Sequence, residues 1–279
     1  GTGLPSVGNT VFDLDIALDP VEGTNLVAKG LPNAITTIAV THSGGMLKCP
    51  KTYMNKLVVG AAARGRCDIQ APAKYNLNVI ALSMDRDVTD LTVVILDRER
   101  NNDLIQEVRD CGARIKLISD GDVLPAIASA LKDTGIHAVM GIGGASEGIL
   151  ASAALKCLGG EIQAQFRWRD NADREHAEAL GLSLSEDTVY FMEDLVPAQE
   201  LVFAASGITS GDILKGVRFF GDGCRTNSLV MTNQTCMVRF VDTVHLGGDE
   251  HDRRHRRDDD RQFPAGGRAV LPVEVRSEE

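Results

Sequence analysis

Aromatic side chains are scarce: Phe, Tyr and Trp make up 4% of the 279 residues, with a single Trp. Aliphatic side chains, Ala and Gly must fill the core, and with 28 Gly the composition favours an α/β sheet with tight loops over an all-β sandwich. Positive charge is also in short supply. Twenty-nine Lys and Arg face 39 Asp and Glu, a formal net charge of −10. Such a chain lacks the basic face that nucleic acid or an anionic membrane demands. An anion must then be bound locally, by a few placed bases, backbone amides or a metal. No run approaches the ~18 apolar residues of a transmembrane helix, and the N-terminus lacks a charged-then-apolar signal pattern. The chain begins with Gly1 rather than Met and reads as processed or as a fragment. None of its cysteines (Cys49, Cys67, Cys111, Cys157, Cys224, Cys236) forms a CxxC pair. They read as reduced and mostly buried, which places the protein in a reducing, cytoplasmic compartment.

What is present divides into two units, at roughly 100–200 residues per domain. An alternating strand is expected from Phe12 to Asp19, stopped by Pro20, and a β-branched strand from Asn33 to Thr41. His42-Ser-Gly-Gly45 reads as a hairpin turn, with a return strand starting at Met46–Cys49. Tyr53–Ala63 is expected to start as helix, and a further helix covers Asn76–Met84. From Leu91 strands and helices alternate: strands at 91–96, 114–118 and 137–142; helices at 101–111 (stopped by Gly112), 123–131 and 146–158, the last capped by Ser146. That alternation predicts a parallel sheet. Residues 169–187 read as a polar helix, 201–205 as a strand, and 217–241 as a β meander that returns to the first unit. Residues 249–261 are all Asp, Glu, His or Arg and read as a solvated tail, with His-rich metal binding the lesser alternative. The expected division is an α+β domain (1–88 plus 207–247), an α/β domain (89–206) and a charged tail (248–279).

In open α/β sheets ligands bind outside the carboxyl ends of the strands. The three regular strands are followed by Asp97-Arg-Glu-Arg100, Ser119-Asp-Gly-Asp122 and Gly141-Ile-Gly-Gly-Ala-Ser-Glu-Gly148. Right-handed crossovers set all three loops along one edge. Arginines bind phosphate, carboxylates accept from hydroxyls, and helix amides bind anions. Taken singly, the arginines also fit ordinary surface charge, and Asp120-Gly-Asp122 a turn capping the next helix. The glycine stretch is no dinucleotide fingerprint, because Ser146 stands where the third Gly belongs. The sharpest feature is Asp15-Ile-Ala-Leu-Asp19-Pro20-Val21-Glu22-Gly23-Thr24. Carboxylates flanking such a turn can share a hard cation such as Mg²⁺ or Mn²⁺. Thr24 is placed to orient water, and the amides of Gly23 and Thr24 to hold a phosphate oxygen.

This segment resembles the Asp-Pro-x-Asp/Glu-Gly-Thr signature of the lithium-sensitive, metal-dependent sugar and inositol phosphatases. The Glu version followed by Asn-Leu-Val-Ala-Lys-Gly resembles class II fructose-1,6-bisphosphatases. The resemblance continues in order through Pro50–Leu57, Arg98-Glu-Arg100, Ser119–Asp122, Gly141–Gly148 and Ala205-Ser-Gly-Ile-Thr-Ser-Gly-Asp212. It covers about residues 13–246. It implies a sugar-phosphatase fold of layered α/β sandwiches, the second domain a parallel-rich α/β sheet. It also implies hydrolysis of a sugar 1-phosphate, dependent on Mn²⁺ or Mg²⁺, in gluconeogenesis or the Calvin cycle.

By the same resemblance Asp19, Glu22 and Glu147 match metal ligands. Glu22, Gly23, Thr24, Tyr53, Arg98, Glu99, Arg100, Asp120, Gly121, Asp122 and Gly144 match substrate contacts. Thr24, with Glu22 and Asp19, matches the catalytic group. The implied ligand is a sugar bisphosphate, fructose 1,6-bisphosphate or alternatively sedoheptulose 1,7-bisphosphate, and the implied assembly a homo-oligomer, dimer or tetramer. The family also carries an N-terminal helical region with one further Asp and one further Glu among its ligands. Gly1–Thr10 contains no acid, so this chain is expected to be weakly active or inactive while a full-length parent is a phosphatase. An inactive remnant that only binds sugar phosphate is the alternative from a different class. An inositol-phosphatase relative fits less well, since that pattern carries Asp where Glu22 stands.

Overall fold

The computed structural model describes residues 13–235 and 237–246. In chain order the elements are β1 (Leu14–Glu22), α1 (Thr24–Ala28), β2 (Ile35–His42), β3 (Tyr53–Val59), α2 (Ala73–Ser83), β4 (Thr92–Leu96), α3 (Asn102–Asp110), β5 (Arg114–Ile118), α4 (Val123–Ala130), β6 (Ala138–Gly144) and α5 (Ala145–Leu158). Then follow β7 (Glu161–Arg167), α6 (Asn171–Ala179), β8 (Tyr190–Phe191), α7 (Met192–Leu195), β9 (Leu201–Gly207), β10 (Arg218–Phe220), β11 (Gly223–Thr232) and β12 (Val238–His245).

Two six-stranded sheets form the frame. The first runs β1-β2-β9-β11-β10 with β12 beside β11, and the second runs β5-β4-β6-β3-β7-β8. The meander of the last strands therefore joins the first sheet, as its β-rich sequence implied. The pairs of the first sheet are antiparallel, and β1, β2 and β9 alternate in burial. On one face Ala39, Phe203, Ala205, Leu229 and Met231 are buried. On the other, Leu14, Ile16, Leu18, Val202 and Val241 remain exposed.

Helix α5 explains how the sheets stack. It touches β1, β2, β9 and β11 of one sheet and β3, β6 and β7 of the other. A helix with apolar contacts on all sides belongs in an interior. Its sequence is rich in small residues (Ala145, Gly148, Ala151, Ala153, Ala154), all buried, which lets two sheets approach it. The opposite face of the second sheet carries α2 and α3, whose Leu77, Ile80, Ile105 and Val108 pack on Leu57, Val93 and Ile95. The layers run sheet, helices α4 and α5, sheet, helices α2 and α3. This is the layered α/β sandwich that the sequence implied.

Five local expectations are corrected. β1 does not stop at Pro20 but continues to Glu22 through an irregularity between Asp19 and Glu22. Proline is tolerated there because β1 is an edge strand and the ladder is already interrupted. Tyr53–Val59 is a strand, not the start of a helix. It is central in its sheet, with β6 and β7 on either side, and Leu57, Val58 and Val59 are all buried. No return strand forms at Met46–Cys49; Leu47 N–H instead donates to the Leu195 carbonyl at 2.9 Å. The second sheet is mixed: β4 is parallel to β5 and β6, whereas β3 is antiparallel to both its neighbours. The polar helix ends at Ala179, where Gly181 turns left-handed (φ 74°) and Leu182 N–H closes on the Ala177 carbonyl at 2.9 Å. One cap also differs, for α5 begins at Ala145 with Gly144 in the capping position rather than Ser146. Phe12, Cys236 and the charged tail lie outside the described residues.

Candidate active site

At the carboxyl ends of β4, β5 and β6, a cavity of about 400 Å³ opens between the two sheets. Asp19, Glu22, Gly23 and Thr24 line it from the first sheet, and Tyr53, Arg98, Arg100, Asp120, Gly121, Asp122, Gly144 and Glu147 from the second. The structure thus brings together every candidate residue of the sequence reading except Glu99, which is exposed and does not line the cavity. Lys51 lines it too; its place between Pro50 and Tyr53 gave the only hint.

The turn after β1 shapes one wall. Gly23 adopts φ 87°, a backbone state costly for any residue with a Cβ. A Cβ there would also lie 2.8 Å from Leu26 Cδ1. The reversal sends Glu22 inward, where it is 2% exposed. Its Oε1 accepts from Val123 N–H at 3.3 Å, while its Oε2 is buried with no hydrogen-bond partner. Burial, and after it the nearby carboxylate of Asp122, push the Glu22 carboxyl up to about 8; Asp19 and Glu147 add to this, against the Val123 bond. Asp19 is half-buried, accepts from Val21 N–H at 3.0 Å, and is shifted upward by burial, then by Glu147 and Asp120.

The second sheet supplies both charges. Asp122 precedes α4 and binds Lys56 Nζ through Oδ2 at 2.5 Å, both side chains buried. Lys56 also donates to the Gly144 carbonyl at 3.2 Å, which ties the loop after β5 to the loop after β6. Asp122 Oδ1 is buried without a partner. Asp120 reaches across to the first sheet's turn, accepting from Asn25 N–H at 3.0 Å and from Asn25 Nδ2 at 3.1 Å. Lys56 was missed as a functional residue, because nothing in a β-strand sequence shows which side chain meets an aspartate far along the chain.

The arginines are anchored by backbone. Arg98 Nη2 donates to the Ser119 carbonyl at 2.6 Å, and Arg100 Nε to the Ile142 carbonyl at 3.1 Å. The Arg100 guanidinium lies 4.3 Å over the Tyr53 ring, an attraction between cation and ring face. Arg98 Nη1 donates to the Asp97 carbonyl at 2.9 Å; both arginines line the cavity, where a phosphate is the natural partner of a guanidinium. Glu147 stands in the first turn of α5 and accepts from Ser146 Oγ at 2.9 Å. Cys49, whose thiol is pushed up to about 12 by burial and then by Glu147, is no nucleophile.

Carboxylate oxygens are the donors that a hard divalent cation takes. The buried, unpartnered Oε2 of Glu22 fits that role, since a cation would supply the charge it lacks. Among the described residues no group of three His, Cys, Asp or Glu is arranged to hold an ion by itself. The side chains present therefore fit part of a coordination sphere, with room for ligand and solvent oxygens.

Comparisons with known proteins place the chain in a family. The profile of the family described as "Bacterial fructose-1,6-bisphosphatase, glpX-encoded" matches residues 4–245. A "D-fructose 1,6-bisphosphatase class 2/sedoheptulose 1,7-bisphosphatase" of Synechococcus sp. (strain JA-2-3B'a(2-13)) is 44% identical over 248 residues, covering 85% of this chain and 71% of that protein. The protein so named from Thermosynechococcus vestitus (strain NIES-2133 / IAM M-273 / BP-1) is 44% identical over 249 residues, covering 85% and 72%. No helix among the described residues is long and apolar enough to cross a membrane. The chain belongs to this bacterial fructose-1,6-bisphosphatase family, one of metal-dependent phosphatases.

Proposed function

We propose that the chain hydrolyses the 1-phosphate ester of fructose 1,6-bisphosphate, giving fructose 6-phosphate and phosphate, with Mn²⁺ or Mg²⁺ as cofactor. The observation that carries this reading is a buried carboxylate with an unpartnered oxygen, Glu22, sharing one cavity with two backbone-anchored arginines. A substrate with a phosphate at each end matches that division. The names of the relatives support sedoheptulose 1,7-bisphosphate as a second substrate.

Asp19, Glu22 and Glu147 would hold the cation, which when bound supplies charge neutralisation at the phosphate and Lewis acidity. Arg98 and Arg100, with Tyr53 stacked beneath, bind the distal phosphate. Asp120 and Asp122 accept sugar hydroxyls, and Lys56 holds Asp122 in place for that purpose. Gly23, Gly121 and Gly144 let backbone come close to the substrate. Thr24, exposed on the rim, positions the attacking water. The water oxygen forms the new bond to phosphorus, the bond from phosphorus to the sugar oxygen breaks, and the leaving sugar oxygen takes up the proton that the water gives up. The first sheet, with its carboxylate turn, and the second sheet, with its arginines, then meet at the cavity; β3 (Tyr53–Val59) belongs to the second sheet and β9 (Leu201–Gly207) to the first, so the expected boundaries at 88 and 206 do not separate the two. A cytoplasmic dimer or tetramer completes the proposal.

A second reading has its own support. The described side chains do not form a three-ligand set, which suits binding of sugar phosphate without turnover. One assay separates the two. With Mn²⁺ supplied, phosphate release from fructose 1,6-bisphosphate is expected above background and is abolished by Glu22→Gln. Binding without release favours the second reading; neither binding nor release overturns both.

A further inference from the structure

A second cavity lies at the opposite end of the second sheet. Its volume is about 550 Å³, within the usual range for small-molecule sites. It is bounded by the carboxyl end of α4, the loop that leads into β6, and the segment after β3. Ile80, Met84 and Ile136 give it an apolar wall. Its polar groups are mostly donors. His137 is 6% exposed and lines the cavity. Its Nδ1 accepts from Thr92 N–H at 2.8 Å, which fixes the neutral tautomer with the proton on Nε2. That Nε2–H has no partner among the described residues. Arg86 and Lys132 stand on the exposed wall, and neither side chain has a partner among the described residues. Asp133 is the one carboxylate beside them.

We propose that this cavity is a second ligand site, taking a small organic anion with an apolar body, and that helix α4 couples it to the catalytic cavity. The anionic head accepts from His137 Nε2–H and pairs with Arg86 and Lys132; the body rests on Met84 and Ile136. Burial, then the nearby Arg86 and Arg114, keep His137 neutral, so it serves as donor at ordinary pH. The coupling follows from α4 itself. One end of this helix, at Ser129 and Ala130, is cavity wall; its other end gives Val123 N–H to Glu22. Eight residues of helix span about 12 Å and transmit a shift as a rigid rod.

The test uses phenyl phosphate as probe, with inorganic phosphate and phenol as its separate halves. The chain carries Arg98→Ala and Arg100→Ala to remove the competing anion site. Saturable binding is expected, shifting the His137 ring and Val123 amide signals in NMR spectra. Added Arg86→Ala and Lys132→Ala, both at exposed positions, weaken binding by about tenfold or more, equivalent to one lost charge pair. Inorganic phosphate binds more weakly and phenol not measurably. The proposal is overturned if phenyl phosphate does not saturate, or if the Arg86/Lys132 pair leaves its affinity unchanged. Binding that never moves the Val123 amide overturns the coupling. None of these outcomes depends on turnover at the catalytic cavity.

Discussion

Glu22→Gln in the metal-free chain gives the clearest energetic prediction. Burial and neighbouring carboxylates raise the Glu22 carboxyl from 4.5 to about 8. Between those values the unfolded chain has released the proton that the native state retains. The native state is thus favoured at low pH, and its stability falls as pH rises from 4.5 through about 8. Each pH unit in that window costs about 1.4 kcal/mol. At neutral pH the sum is on the order of 3 kcal/mol, held as a charge penalty until a cation removes it. Gln keeps the acceptor for Val123 N–H and carries no charge. The variant should therefore be more stable than the parent at neutral pH without metal, by roughly 6–10 °C in Tm, and the gain should vanish near pH 4. Thermal melts in chelator across that pH range check this. Saturating Mn²⁺ should reverse the order of the two proteins. Equal melts at neutral pH, or a variant that is less stable there, refutes the reasoning.

Other outcomes follow from the same geometry. Lys56→Met leaves Asp122 buried without its counter-ion and should destabilise the fold by about 3–5 kcal/mol; adding Asp122→Asn should restore much of this in urea unfolding. Arg100→Ala removes a guanidinium stacked on Tyr53 and should raise KM for the bisphosphate by roughly tenfold or more, with a smaller change in kcat. Gly23→Ala forces a Cβ onto φ 87° and against Leu26, and should cost about 1–3 kcal/mol together with loss of cation binding. Ile16→Lys with Leu18→Lys on the exposed face of β1 should lower binding of a hydrophobic dye while leaving the far-UV circular dichroism unchanged.

Much of the site was legible because its parts are loops with strong chemical signatures. Acidic and glycine-rich turns after β4, β5 and β6 had to fall along one edge once the strands were parallel, and the structure places them in one cavity with the turn after β1. The stop of α3 was equally plain, for Gly112 follows it at φ 83°. The central strand β3 was not. Met54, Leu57 and Val58 repeat at helical spacing, and a strand buried on both faces shows no alternation to contradict them. Its antiparallel pairing was hidden for the same reason, since pairing across the sheet leaves no trace in local periodicity. The Lys56–Asp122 pair joins residues 66 positions apart, and only tertiary structure reveals it. Glu99 shows the converse: a charged neighbour of two cavity arginines reads like a site residue, yet the turn after Arg98 leaves it exposed.

The central claim is that Glu22 and the arginine pair form one cation-dependent bisphosphate site. Calorimetric titration of Mn²⁺ with and without saturating fructose 1,6-bisphosphate tests it most directly, in wild type, Glu22→Gln and Arg98→Ala/Arg100→Ala. The account predicts saturable Mn²⁺ binding that tightens with the bisphosphate, releases a proton near neutral pH, and is lost in Glu22→Gln; the arginine variant should keep Mn²⁺ binding but lose the tightening. Mn²⁺ binding that is indifferent to Glu22→Gln, or bisphosphate binding that is indifferent to both arginines, would contradict it.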